Sequence, residues 1–226
     1  MKNYFNELKN ESKNQTSYIK RFIAYAIDWY VGGLLASIPL ILLYMSLHED
    51  ASYIPQVITI FEQPYQLIAG GLSFSVSLLY YIGIPLYTKG QTLGKKILGL
   101  KIVGDHYDDV TMKQILLRQG VMILLVEGSI YTASNMLHQM INVMTGFNFA
   151  SLYAYIGVVI SLISVICVFV FKSKKSLHDI VAKTLVVDIQ SPQYTYEVKK
   201  NKKIRKKKLK LSVNLFKLNL SFQFFS

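Results

Sequence analysis

The chain has 226 residues, of which 52% are hydrophobic and only 17% charged, well short of the roughly 25% charge usual in soluble domains. Its formal net charge of +12 would suggest nucleic acid on a soluble protein. Here the basic residues flank long apolar runs, so the expected partner is a lipid bilayer and not nucleic acid.

In chain order, residues 1–17 are polar and read as a cytoplasmic tail. No short apolar segment with a small-residue cleavage site follows, so the first apolar run is expected to be a retained helix and not a secretory signal. A hydrocarbon core of about 30 Å needs roughly 20 helical residues. Four stretches meet this, at about 22–47, 66–87, 112–137 and 150–171. The first carries Asp28. The third carries Lys113 and Arg118 near its start and Glu127 in its middle. Tyr18, Phe22, Tyr44, Tyr80, Tyr81 and Tyr87 fall near the proposed helix ends, where amphipathic rings prefer the interface. Between the second and third spans, Leu93, Ile97, Leu98 and Leu100 lie opposite Lys95 and Lys96, which predicts a short helix at the cytoplasmic interface. Leu100–Val103 and Thr184–Asp188 are too short to span and are rich in β-branched residues; they are expected to pair as a small β-ladder braced by the helix ends. Residues 189–226 form a basic tail, with nine lysines or arginines among the twelve residues 199–210. Such a like-charge block is expected to be disordered and to attract anionic lipid headgroups.

The lysines and arginines settle the expected orientation. They occupy the N-terminal tail, the 88–113 connector with Arg118 just beyond it, and the region from Lys172 onward. The 48–65 and 138–149 connectors contain none. Basic residues mark the cytoplasmic side. The fold expected is therefore an all-α membrane protein of four transmembrane helices with both termini in the cytoplasm, plus the interfacial helix and a two-stranded β element.

Ionisable groups within a bilayer are costly and are the first functional candidates. Asp28 follows Arg21 by seven residues, two helical turns, so the two share a face about 10 Å apart along the axis. Each therefore needs another partner. Arg118 is the expected partner of Asp28, and Asp179 of Arg21. Glu127, the deepest acid, is expected either to face a polar cavity or to pair with another helix. His178 adjoins Asp179 but lacks a second ligand at metal spacing. The single cysteine, Cys167, lies in an apolar run, so no internal disulfide or zinc site is expected. No nucleophile elbow, P-loop or zinc-protease motif is present, so neither enzyme activity nor a cofactor is expected.

The segment Gly90-Gln91-Thr92-Leu93-Gly94-Lys95-Lys96-Ile97-Leu98-Gly99 closely resembles the signature of the RDD family of bacterial membrane proteins. That family is named for one arginine and two aspartates, which map to Arg21 and Asp28 in RFIAYAID and to Asp179 in LHDIVAKTLVV. Arg118 in ILLRQ also fits. The resemblance covers about residues 18–188 and implies a bacterial cytoplasmic-membrane protein, often described as transport-related. The sequence departs from the family at Lys183, where glycine is frequent, and in its basic tail.

Two functions are consistent with these residues. One is transport of an ion or small molecule through a buried charged site, with a homodimer expected because four helices are few for alternating access. The other is a non-transporting membrane scaffold or partner-binding subunit.

Overall fold

The computed structural model describes residues 13–48, 57–127, 132–204 and 206–207. Three described helices are long and apolar enough to cross a membrane: α1 (Tyr18–Leu47), α2 (Tyr65–Tyr87) and the Tyr153–Val170 part of α6 (Phe149–Val170). The other elements are α3 (Leu93–Ile97), β1 (Leu100–Gly104), α4 (Met112–Ile115, continued by a π-helix over Leu116–Val126), α5 (Thr132–Thr145), α7 (Leu177–Ala182), β2 (Thr184–Asp188) and α8 (192–204).

Small residues bring α1 and α2 together. Gly32, Ala36 and Ser37 on α1 are buried, as are Ala69, Gly70, Ser73 and Ser77 on α2. A β-carbon on Gly32 would lie 2.1 Å from the Tyr81 hydroxyl. Lipid offers no hydrophobic drive for helices to associate, so close backbone approach and dispersion hold such a pair. At one end of the bundle, Leu40, Ile58, Phe61, Ala69 and Met136 form an apolar cluster. Further along, Tyr80, Tyr81, Ile123 and Leu124 form a second. Tyr80 and Tyr81 are thus core residues and not interfacial rings, because their hydroxyls find partners on Asp28.

The predicted third span is not one described helix: the helix starting at Met112 ends at Val126, residues 128–131 lie outside the described residues, and a second helix covers Thr132–Thr145. Ser134 Oγ donates to the Leu124 carbonyl at 2.6 Å, tying the second piece onto the end of the first. As a result most of the expected 138–149 loop is helix α5, and His138 is buried in it. Within the expected 48–65 connector, residues 49–56 lie outside the described residues, and Ile58–Ile60 make one 3-10 turn.

The expected β-ladder is present and antiparallel, with Leu100 opposite Asp188 and Gly104 opposite Thr184. Two strands alone are marginal in water, but both faces here are covered. Leu100, Ile102 and Val186 pack on Ala24 of α1. Val103, Leu185 and Val187 pack against Tyr107 and Tyr194. Tyr194 belongs to α8, so the first part of the basic tail, expected to be disordered, is a helix docked on the sheet. Residues 208–226 lie outside the described residues. Residues 13–17 close the assembly: Asn14 Nδ2 donates to the Ser173 and Val186 carbonyls, and the Asp188 amide donates to Thr16 Oγ1. Between α7 and β2, Lys183 takes a left-handed conformation (φ 53°, ψ 53°). Glycine adopts this conformation without steric cost.

Candidate functional site

Asp28 sits at the centre of the first half of the site. Its Oδ1 accepts from the Tyr80 hydroxyl at 2.9 Å and the Gly94 amide at 2.8 Å. Its Oδ2 accepts from the Thr92 hydroxyl and from Lys95 Nζ at 3.0 Å. The spacing Thr92-x-Gly94-Lys95 therefore has a physical reason: three groups of one turn all donate to a single carboxylate. Gly94 is required by proximity, since a β-carbon there would lie 2.3 Å from the Ala24 carbonyl oxygen and 3.0 Å from Asp28 Oδ1. Burial pushes the Lys95 ammonium below its ordinary pKa, while Asp28 acts in the opposite direction.

Gly90, Gln91 and Gly99 do not reach this carboxylate. They shape the turn that joins the motif to the sheet. Gly90 has φ 104°, and its carbonyl accepts from the Ile102 amide. Gln91 Nε2 donates to the Leu100 carbonyl at 2.8 Å, and the Gly99 carbonyl accepts from the Ile189 amide.

Asp179 organises the second half. Arg118 Nε donates to its Oδ1 at 3.0 Å and Arg21 Nη2 to its Oδ2 at 3.3 Å. Ser176 Oγ and Thr184 Oγ1 complete its coordination at 2.7 and 3.1 Å. Burial would raise the Asp179 carboxyl, but Arg118, His178, Arg21 and the Ser176 hydrogen bond together hold it well below the ordinary carboxylate range. The Arg21–Asp179 pair is the one expected from the sequence. The expected Arg118–Asp28 pair is not formed: Arg118 bonds Asp179, and Lys95 serves Asp28. Helix periodicity places a residue on a face, but it does not say which cation from a distant segment arrives there.

Glu127 follows the end of α4. Ser164 Oγ of α6 donates to its carboxylate at 3.0 Å, and His178 Nδ1 lies 3.1 Å from both carboxyl oxygens. His178 Nε2 is 4.0 Å from Asp179 Oδ2, so the ring lies between two acids. Among the described residues no cluster of three or more His, Cys, Asp or Glu could hold a metal.

These pieces surround one cavity of about 360 Å³. Arg21, Asp28, Thr92, Lys95, Arg118, Glu127 and His178 all line it, and Asp179 lies behind the two arginines that do. The two options weighed for Glu127 are thus both realised, since it is paired across helices and also faces the cavity. Gln119, Ser164 and Tyr80 are site residues that sequence reasoning missed. The signal for Gln119 was its position beside Arg118 in an otherwise apolar run. Ser164 carried none, because isolated serines are common in membrane helices.

The family model of the RDD family matches residues 16–183 of this chain. The chain belongs to the RDD family. A protein of Bacillus subtilis (strain 168), described as uncharacterized protein YxaI, is 33% identical over 172 residues, covering 76% of this chain and 83% of that protein. No solved structure matches. In this RDD chain the arginine and the two aspartates do not form one cluster. Arg21 joins Asp179, whereas Asp28 is claimed by the glycine-rich segment, and the cavity lies between the two groups.

Proposed function

We propose that this RDD protein is a multi-pass protein of the bacterial cytoplasmic membrane that moves an ion or small molecule through the charged cavity. The observation that carries the reading is the convergence of Arg21, Asp28, Arg118 and Glu127 on one cavity. Buried charges are unfavourable in a bilayer, and a purely structural ion pair gains nothing from facing an open space. In the proposed arrangement both termini are cytoplasmic, and α4 with α5 makes the fourth crossing as a discontinuous helix. Its first piece has 15 residues from Met112 to Val126, about 22 Å at the α-helical rise and too short to cross alone. Interrupted helices are tolerated at membrane depth where the freed backbone lines a cavity, and they recur at transport sites. Glu127 follows the first piece at the interruption and lines the cavity.

The test is flux into vesicles reconstituted with the wild type or with Asp28→Asn, across candidate cations and pH gradients. Wild-type flux above that of empty vesicles, and reduced in the variant, is expected. Equal flux with and without protein ends the transport reading.

A second reading, a scaffold or partner-binding subunit, draws on a different observation. The motif residues Gly90, Gln91 and Gly99 bond to the sheet and to Ile189 just after it, not to the cavity. In that reading the 199–210 basic run binds anionic headgroups and the sheet face receives a partner protein. Failure to copurify any stable partner, including a second copy of the chain, counts against it.

A further inference from the structure

The cavity contains hydrogen-bond donors without acceptors. Arg118 directs Nε to Asp179 and Nη1 to Gln119 Oε1 at 3.3 Å, and its Nη2 meets no acceptor among the described residues. A guanidinium carries only donors, so Gln119 must turn its carbonyl oxygen toward it. That leaves Gln119 Nε2 pointing elsewhere, also without an acceptor among the described residues. Arg118 is 3% and Gln119 2% exposed, and both line the cavity. Both nitrogens belong to residues that line the cavity, so a molecule held there that brings oxygen can accept from the two of them together.

Charge narrows the class. Arg21 and Arg118 share the single carboxylate of Asp179, whereas Lys95 and Asp28 pair one to one. Glu127, the other acid at the cavity, is held by Ser164 and His178. The arginine side therefore favours an oxyanion. Shape narrows it further. The lining also has an apolar part, with Phe22 on α1 and Val165 and Phe169 on α6. Phe22 is 71% and Phe169 64% exposed on the outer surface of the bundle. They belong to two helices that are long and apolar enough to cross a membrane.

We propose that the cavity binds an acidic amphiphile from the membrane, with its phosphate or carboxylate head on Arg118 Nη2 and Gln119 Nε2 and its alkyl chain leaving between α1 and α6. Occupancy by such a molecule does not require transport, so a negative flux assay leaves it standing. A free phosphate would share the head chemistry, and the test separates the two.

The full chain, in a nonionic detergent, is titrated with oleoyl lysophosphatidic acid, with monoolein and with inorganic phosphate, reading bound copies by native mass spectrometry and the thermal midpoint. One copy of the lysophosphatidic acid and a raised midpoint are expected, with neither effect from monoolein or phosphate at the same concentration. Gln119→Leu removes a head donor, and Val165→Trp fills the chain exit without touching a polar group. Each is expected to weaken binding by about tenfold or more. Equal binding of monoolein would reveal a greasy groove with no head site, and equal binding of phosphate a free-anion site. Either result overturns the proposal, as does no adduct on the wild type or unchanged affinity in variants whose unliganded midpoints match it. Should neither variant fold, the three-ligand comparison on the wild type still decides.

Discussion

Asp179 is fully buried and accepts from Arg21, Arg118, Ser176 and Thr184, four groups drawn from α1, α4, the start of α7 and β2. Removing its charge leaves the buried guanidinium of Arg118 and the partly buried one of Arg21 without a counter-ion. Asp179→Asn is expected to lower unfolding free energy by about 3–5 kcal/mol, read as a fall in the thermal midpoint in detergent. An unchanged midpoint at pH 7 contradicts the pairing. The pH dependence follows from the direction of the shift. A carboxyl held below its ordinary value contributes its full stability above about pH 4 and loses it only as pH falls through the depressed value. The difference between wild type and variant is therefore expected to shrink in strong acid. Gly94 gives a second residue-scale expectation. With a β-carbon 2.3 Å from the Ala24 carbonyl oxygen, Gly94→Ala must push α3 off α1. The expected cost is about 1–3 kcal/mol, with loss of the Gly94–Asp28 hydrogen bond.

Among the elements, the short ones carry most of the site. Helix α7 has six residues, yet it delivers His178 to the cavity lining and Asp179 to the two arginines, and the strand it feeds supplies Thr184. The turn between them forces Lys183 into the left-handed region, where side chains other than glycine are strained. Lys183→Gly is expected to stabilise the chain by roughly 0.5–1 kcal/mol, the relief of strain exceeding the added freedom of the unfolded chain. A lower midpoint in the variant would show that the lysine side chain makes a compensating contact. Legibility varied by element. The pairing of Leu100–Gly104 with Thr184–Asp188 could be read because both runs are short, β-branched and lacking any other partner. The end of the helix at Val126 could not, because the stretch from 112 to 137 is long and apolar enough for one helix despite its three charges, and hydropathy does not register a change in backbone hydrogen bonding. Likewise the start of α8 reads as a charged, disordered tail because Tyr194, which packs on the sheet, lies ahead of the basic run.

At the scale of the whole molecule, the arrangement across the bilayer is open to a direct check. With Cys167→Ser as background, a cysteine placed by Ala51→Cys is expected to react with an impermeant maleimide added outside intact cells, and one placed by Lys96→Cys only after permeabilisation. The reverse pattern inverts every role assigned to the cavity. By itself the sequence determined that the chain is a helical membrane-type protein of the RDD family, because apolar runs and motif spacing are properties of consecutive residues. It also made the Arg21–Asp179 pairing readable. Only the tertiary structure decided that Lys95 and not Arg118 neutralises Asp28, that Gln119 belongs to the site, and that the charges share one cavity. Those facts depend on which segments meet in space, and spacing along the chain does not say which of several candidate cations reaches a given carboxylate.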